Sequence, residues 1–124
     1  MVYKINSSFV LVPPPVRFNI TKHGHGNFEQ ARATLVFIPN EDDRGKKRIY
    51  GLVEDVFVLE ASRGKQLGNY LLKAIISRAR GNGCYKLIAT SRTDGTRDTV
   101  HDWYKRLGFR AHGTSFRMDL KRKG

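Results

Sequence analysis

The segment Val53-Glu54-Asp55-Val56-Phe57-Val58-Leu59-Glu60, followed by Arg63-Gly64-Lys65-Gln66-Leu67-Gly68-Asn69-Tyr70-Leu71-Leu72, decides how the rest of the chain is read. The β-branched apolar run reads as a strand. A basic, glycine-bearing turn follows. Leu67, Leu71, Ala74 or Ile75, and Ala79 then recur at helical spacing, with Leu72 and Ile76 widening the stripe. A strand that turns directly into a helix aims the first backbone N–H groups of that helix, and the positive end of its dipole, at one spot. Such a spot is an anion site, and pyrophosphate suits it. The pattern therefore places a phosphorylated ligand against the edge of a sheet.

Working outward, Tyr3 to Val12 reads as a first strand, halted by Pro13-Pro14-Pro15. Val16 to Lys22 alternates apolar and polar residues, as a half-buried strand does. His23-Gly24-His25-Gly26-Asn27 is a turn, and Asn27 to Arg32 offers at best one helical turn. Ala33 to Pro39 is a buried strand and Asn40 to Lys47 a charged hairpin connection. Arg48 to Glu60 is a long strand, with any break expected near Gly51. Beyond the helix, Gly81-Asn82-Gly83 is a stop, and Tyr85 to Thr90 is a strand opened by Cys84, which we expect as a buried small hydrophobe. Val100, Trp103, Tyr104 and Leu107 mark a second short helix, with Thr99-Val100-His101-Asp102 as its capping box and Gly108 as its stop. Phe109 to Leu120 closes as a strand or hairpin. This order predicts an α+β fold: a mixed, mostly antiparallel twisted sheet flanked by helices.

The 124 residues suit one domain, 1–124, with N-terminal strands over 1–47 and the ligand-binding core over 48–120. A single cysteine excludes an internal disulfide framework and fits a reducing compartment. No apolar run approaches the ~20 residues of a membrane helix. Phe9-Val10-Leu11-Val12 is too short for a secretory leader, so we expect a cytoplasmic protein with no membrane partner. The net charge of +12 favours polyanions. The basic residues are scattered and carry no aromatic reading motif, which places nucleic acid well behind a phosphorylated small molecule as partner. His23 and His25 lack a third ligand, and we expect no metal.

Two separated motifs carry a resemblance. Arg63-Gly64-Lys65-Gln66-Leu67-Gly68 resembles the acetyl-CoA signature of the GNAT N-acetyltransferase superfamily. Asp102-Trp103-Tyr104-Lys105-Arg106-Leu107-Gly108-Phe109 resembles that family's late F-Y-x-x-x-G-F helix. Val53-Glu54-Asp55-Val56, Arg63 to Gly68 and Cys84-Tyr85-Lys86 are similar to glucosamine-6-phosphate N-acetyltransferases. The resemblance spans roughly residues 48 to 120 and implies acetyl-CoA as cosubstrate.

On that resemblance, the backbone from Gly64 through Gln66, Leu67 and Gly68 to Asn69 cradles the pyrophosphate, with Arg63 and Lys65 adding charge. The pantetheine arm pairs like a strand with Val56, Phe57 and Val58, and a backbone N–H near Val56 or Phe57 faces the oxyanion. Tyr104 is the acid for the leaving thiolate, and its ring also belongs to the core stripe. Glu54 is the base for the incoming amine. Alternation would send Asp55 to the opposite face, so at most one of the two points into the site directly. Asp55, His101 and Arg92 are candidate acceptor contacts. The superfamily's middle glycine is Gln66 here, which implies that Gln66 keeps helical angles.

The implied activity is direct acetyl transfer to a primary amine in a ternary complex, with an amino sugar phosphate or similar small amine ahead of a protein or peptide amine. A non-catalytic CoA-binding module, or a nucleic-acid-binding one, is the alternative. Residues 13–31 show three prolines, two glycines and a two-residue period where the family usually places two helices, so those helices are reduced or absent. An open pocket of that kind is completed by a second subunit or admits a bulky acceptor.

Overall fold

In the computed structural model, residues 2–4, 12–22, 28–59, 66–90, 98–113 and 116–121 are described, with 22 and 98–101 by backbone alone. Among these residues, four strands and two helices follow in the order β1 (Val16–Lys22), β2 (Phe28–Glu41), β3 (Lys47–Val58), α1 (Leu67–Gly81), β4 (Leu87–Ala89) and α2 (Asp98–Arg106). One sheet has the order β1-β2-β3-β4. β1–β2 and β2–β3 are antiparallel and β3–β4 is parallel, because the connection to β4 passes through α1. The fold is thus α+β, with a mixed, mostly antiparallel sheet. The chain divides into two compact units, Met1–Ala89 and Thr90–Gly124.

The first unit is a helix on a sheet. Ala31, Ala33, Leu35 and Phe37 of β2 alternate inward with Val53 of β3, and α1 covers them with Leu71, Leu72, Ile75 and Ala79. Leu35, Leu72, Ile75 and Val53 are fully enclosed, each contributing about 1.5–3 kcal/mol of burial free energy. Gly51 leaves room for its neighbours on the helix-covered face, where a Cβ would meet Ala79 Cβ of α1 at 3.7 Å. A Cβ there would lie 2.8 Å from Leu87 Cδ1 and 2.9 Å from Leu35 Cδ1. β3 runs through this point unbroken.

Both helices end in the same way. At α1, Cys84 N–H donates to Ala79 O at 3.0 Å and Gly83 N–H to Arg80 O at 3.0 Å, with Gly83 at φ 78°. At α2, Phe109 N–H donates to Tyr104 O at 3.0 Å and Gly108 N–H to Lys105 O at 3.0 Å, with Gly108 at φ 99°. These are Schellman ends, in which a left-handed residue lets the chain turn back and satisfy the last carbonyls.

Several expectations change. β2 begins at Phe28, so the turn of helix expected before Arg32 is strand, drawn in by the pairing of Ala31 with Ile20 and Ala33 with Phe18. β4 is shorter than Tyr85 to Thr90, and Cys84 lies in the turn before it, half-buried. α2 starts at Asp98, ahead of the expected capping box. The described parts of Phe109 to Leu120 form no strand, because alternation without a bonded neighbour does not make one. Of the expected first strand, Tyr3, Lys4 and Val12 carry no strand and the remainder lies outside the described residues, as do His23 and His25. Among the described residues no helix precedes α1.

Candidate functional site

The site begins with a defect in β3. Thr34 pairs with Glu54 and Arg32 with Phe57, so Ala33 alone stands opposite Asp55 and Val56. One extra residue on β3 makes this a β-bulge. Asp55 takes φ 54°, in the left-handed region that aspartate tolerates better than most residues. The parallel pairing of β3 with β4 ends at Val53, just before the bulge. Strict alternation therefore fails at Glu54 and Asp55, and the expectation of opposite faces is corrected.

The bulge is gripped from β2. Arg32 Nε donates to Asp55 Oδ2 at 2.9 Å and Arg32 Nη2 to Asp55 Oδ1 at 3.3 Å. Its remaining nitrogen, Nη1, donates to Glu29 Oε1 at 3.2 Å, and the guanidinium carbon lies 4.8 Å from the centroid of the Phe57 ring. Hydrogen bonds to Asp55 first, and then to Glu29, hold the guanidinium above its ordinary value. The Asp55 carboxylate is thus committed. Glu54 is exposed and makes no ion pair among the described residues.

Beyond β3, α1 opens on Gln66 at φ 63°, ψ 12°. This corrects the expectation of helical angles: the position where the superfamily pattern carries glycine does require the left-handed region, and here glutamine fills it. Its side chain accepts a hydrogen bond from Asn69 Nδ2, and its backbone carbonyl accepts from Tyr70 N–H at 3.1 Å. Gln66 makes no side-chain cap to the first turn, and no acidic residue lies in that turn. The N–H groups of Leu67 and Gly68 head the helix, with no acidic residue in the first turn to oppose the dipole's positive end. That donor set fits a pyrophosphate. Arg63, Gly64, Lys65 and Arg92 lie outside the described residues.

The second unit holds the other motif. Tyr104 is half-buried on α2, its ring 5.0 Å from Trp103 and 5.4 Å edge-on from Phe109. The Phe109 contact closes the Schellman end described above, so Gly108 and Phe109 fix the Tyr104 ring from its own helix terminus. His101 falls within α2, where its backbone alone is described. An open pocket of about 730 Å³ lined by Pro39, Asn40, Lys47, Arg48 and Gly83 lies by the β2–β3 hairpin and the C-terminal end of α1, apart from that helix's N-terminus. Among the described residues no group of three or more His, Cys, Asp or Glu side chains could hold a metal ion. Among the described residues no helix is long and apolar enough to cross a membrane.

The family model described as "Acetyltransferase (GNAT) family" matches residues 16–109. The chain belongs to that family. The family uses acetyl-CoA as cosubstrate. Glucosamine 6-phosphate N-acetyltransferase of Trypanosoma brucei brucei is 38% identical over 73 residues, covering 59% of this chain and 46% of that protein. Glucosamine 6-phosphate N-acetyltransferase 1 of Oryza sativa subsp. japonica is 39% identical over 59 residues, covering 48% of this chain and 33% of that one. A crystal structure of a Trypanosoma brucei acetyltransferase superposes with a TM-score of 0.63 at 35% identity, covering 74% of this chain and 60% of that one. This GNAT chain therefore spans about half the length, or less, of the two curated relatives. The family was legible in the sequence, and Arg32 was not. Its placement between the buried Ala31 and Ala33 gave it an outward face, but the bulge that it grips leaves no local signature.

Proposed function

We propose that this chain is an acetyl-CoA-dependent N-acetyltransferase acting on a small primary amine, with an amino sugar phosphate as the leading acceptor. The observation that carries the reading is the N-terminus of α1, headed by left-handed Gln66 without a side-chain cap of its own and with no acidic residue in its first turn. The two relatives named for glucosamine 6-phosphate support the acceptor class. Leu67, Gly68 and Asn69 would hold the pyrophosphate together with Arg63, Gly64 and Lys65, and Val56, Phe57 and Val58 would receive the pantetheine arm.

The amine nitrogen attacks the thioester carbonyl carbon. The oxygen takes up the negative charge against a backbone N–H at Val56 or Phe57, a donor type worth about 10²–10³ in rate. The C–S bond breaks and the Tyr104 hydroxyl protonates the thiolate. Glu54 accepts the ammonium proton, directly or through water. Asp55, with its carboxylate held by Arg32, is left as a shaping residue, while His101 and Arg92 remain the candidate acceptor contacts.

Calorimetric titration with CoA, beside thiol release from acetyl-CoA over an amine panel that includes glucosamine 6-phosphate, tests the reading. CoA binding that Gly68→Glu weakens at least about tenfold, by crowding and repelling the pyrophosphate, is the expected result. A wild-type protein that ignores CoA, or a variant with an unaltered Kd, overturns it. The lack of a helix ahead of α1 among the described residues favours one other reading, a CoA-binding module without turnover, which binding without thiol release across the panel would select.

A further inference from the structure

We propose that Arg32 is a positioning residue: its side chain fastens the bulge of β3 and thereby sets the direction in which the backbone of Val56–Val58 faces an acyl-CoA. The inference rests on the acyl-donor reading above. One guanidinium spans the irregularity. Asp55 is the extra residue, Phe57 is the register partner of Arg32, and the same side chain forks onto the first while lying against the ring of the second. Glu29 takes the third nitrogen, with Arg17 Nη2 lying 3.6 Å from its other carboxylate oxygen.

An isolated exposed ion pair would do little for the fold. A planar fork that is also stacked and networked is the exception, because it fixes direction as well as distance. The segment has reason to need it. Asp55 occupies a backbone region that a non-glycine residue leaves readily. The described pairing with β4 has already ended at Val53, so β2 is the neighbour that defines the course of β3 beyond the bulge. Leu59 N–H donates to Gln30 O at 2.8 Å, which anchors the far end of the segment to the same strand. Arg32 supplies the anchor at the near end.

Two substitutions separate fork from charge. Arg32→Met keeps an apolar stem over Phe57 and loses the fork, whereas Arg32→Lys keeps the charge and loses the fork. Placing Asp55→Gly in the Arg32→Met background supplies a residue at home at positive φ, so that the bulge no longer needs its clamp. The readouts are CoA affinity by calorimetry and amide hydrogen exchange of the ligand-free protein at Val56, Phe57 and Val58, set against a core amide such as that of Leu35. For Arg32→Met we expect about a tenfold higher Kd and about tenfold faster exchange at these three amides, with exchange at Leu35 unchanged. Arg32→Lys should move the same way, and Asp55→Gly should return both readouts to within about threefold of wild type. A merely structural ion pair would change all amides together and would not be rescued. Unchanged exchange and Kd in both single variants, or loss without rescue, overturns the proposal. If wild type does not bind CoA, the function proposed above fails, and exchange at the three amides alone decides whether Arg32 clamps the bulge.

Discussion

Gln66 holds a backbone conformation that costs an ordinary L residue about 1–2 kcal/mol, and it stands at the head of the helix that carries the candidate anion site. Gln66→Gly would relieve that cost and give back about 0.4–1 kcal/mol through a freer unfolded chain. We expect Gln66→Gly to lie within about 1 kcal/mol of wild type and Gln66→Val to lose about 1 kcal/mol or more, since a β-branched residue tolerates positive φ worst. Urea unfolding midpoints check both. If glycine destabilises and valine does not, the left-handed assignment is wrong. Tyr104 offers a second single-residue test. Its ring is held by Phe109 and Trp103, so removing the hydroxyl leaves the packing in place. Tyr104→Phe is expected to lower kcat about 10²-fold with CoA affinity preserved, as loss of a general acid would. Steady-state kinetics beside a CoA titration measure it, and an unchanged kcat removes the hydroxyl from the chemistry.

Among the elements, the β2–β3 hairpin shows how a single carboxylate organises a turn. Asp42 Oδ1 accepts from Arg44 N–H at 2.9 Å and from Lys46 N–H at 3.0 Å, and Gly45 at φ 74° lets the chain reverse. The Lys46 amide first, with help from the Arg44 amide and the Arg48 charge, holds the carboxyl below its ordinary range. A depressed value in the folded state contributes stability that is present above about pH 4 and is lost as pH falls through the folded value. Asp42→Asn should therefore melt below wild type at pH 7, with the gap closing as pH drops below about 4. Thermal melts across that range test it, and a gap independent of pH would refute it. The elements also show what was legible. Helical spacing marked α1, alternation marked β1, and Gly108 marked the stop of α2, because each is written in neighbouring residues. The bulge at Asp55 and the left-handed angle at Gln66 were not legible, since the first depends on register against another strand and the second on how the chain enters α1. Arg32 was missed for the same reason: its partners are fixed by pairing across β2 and β3, not by its neighbours in sequence.

At the scale of the whole molecule, 23 Lys and Arg against 11 Asp and Glu leave a net charge of +12. Spread along the chain, that excess raises the local concentration of a polyphosphorylated ligand without specifying where it docks. CoA binding should weaken about three- to tenfold between 50 and 500 mM salt, mostly through slower association. Stopped-flow binding at several ionic strengths checks this, and a salt-independent on-rate would restrict the electrostatic contribution to the docking point itself.

Cys84 has a practical consequence for any chromogenic reagent used to count liberated CoA. It is the chain's only cysteine, and it sits half-buried just beyond α1, where burial pushes its thiol above the ordinary value. Little of it is thiolate near neutrality, so it titrates slowly with disulfide reagents, and its signal can never exceed one equivalent per polypeptide. Colour developed past that first stoichiometric increment comes from the acyl donor, which gives the protein a built-in blank for turnover.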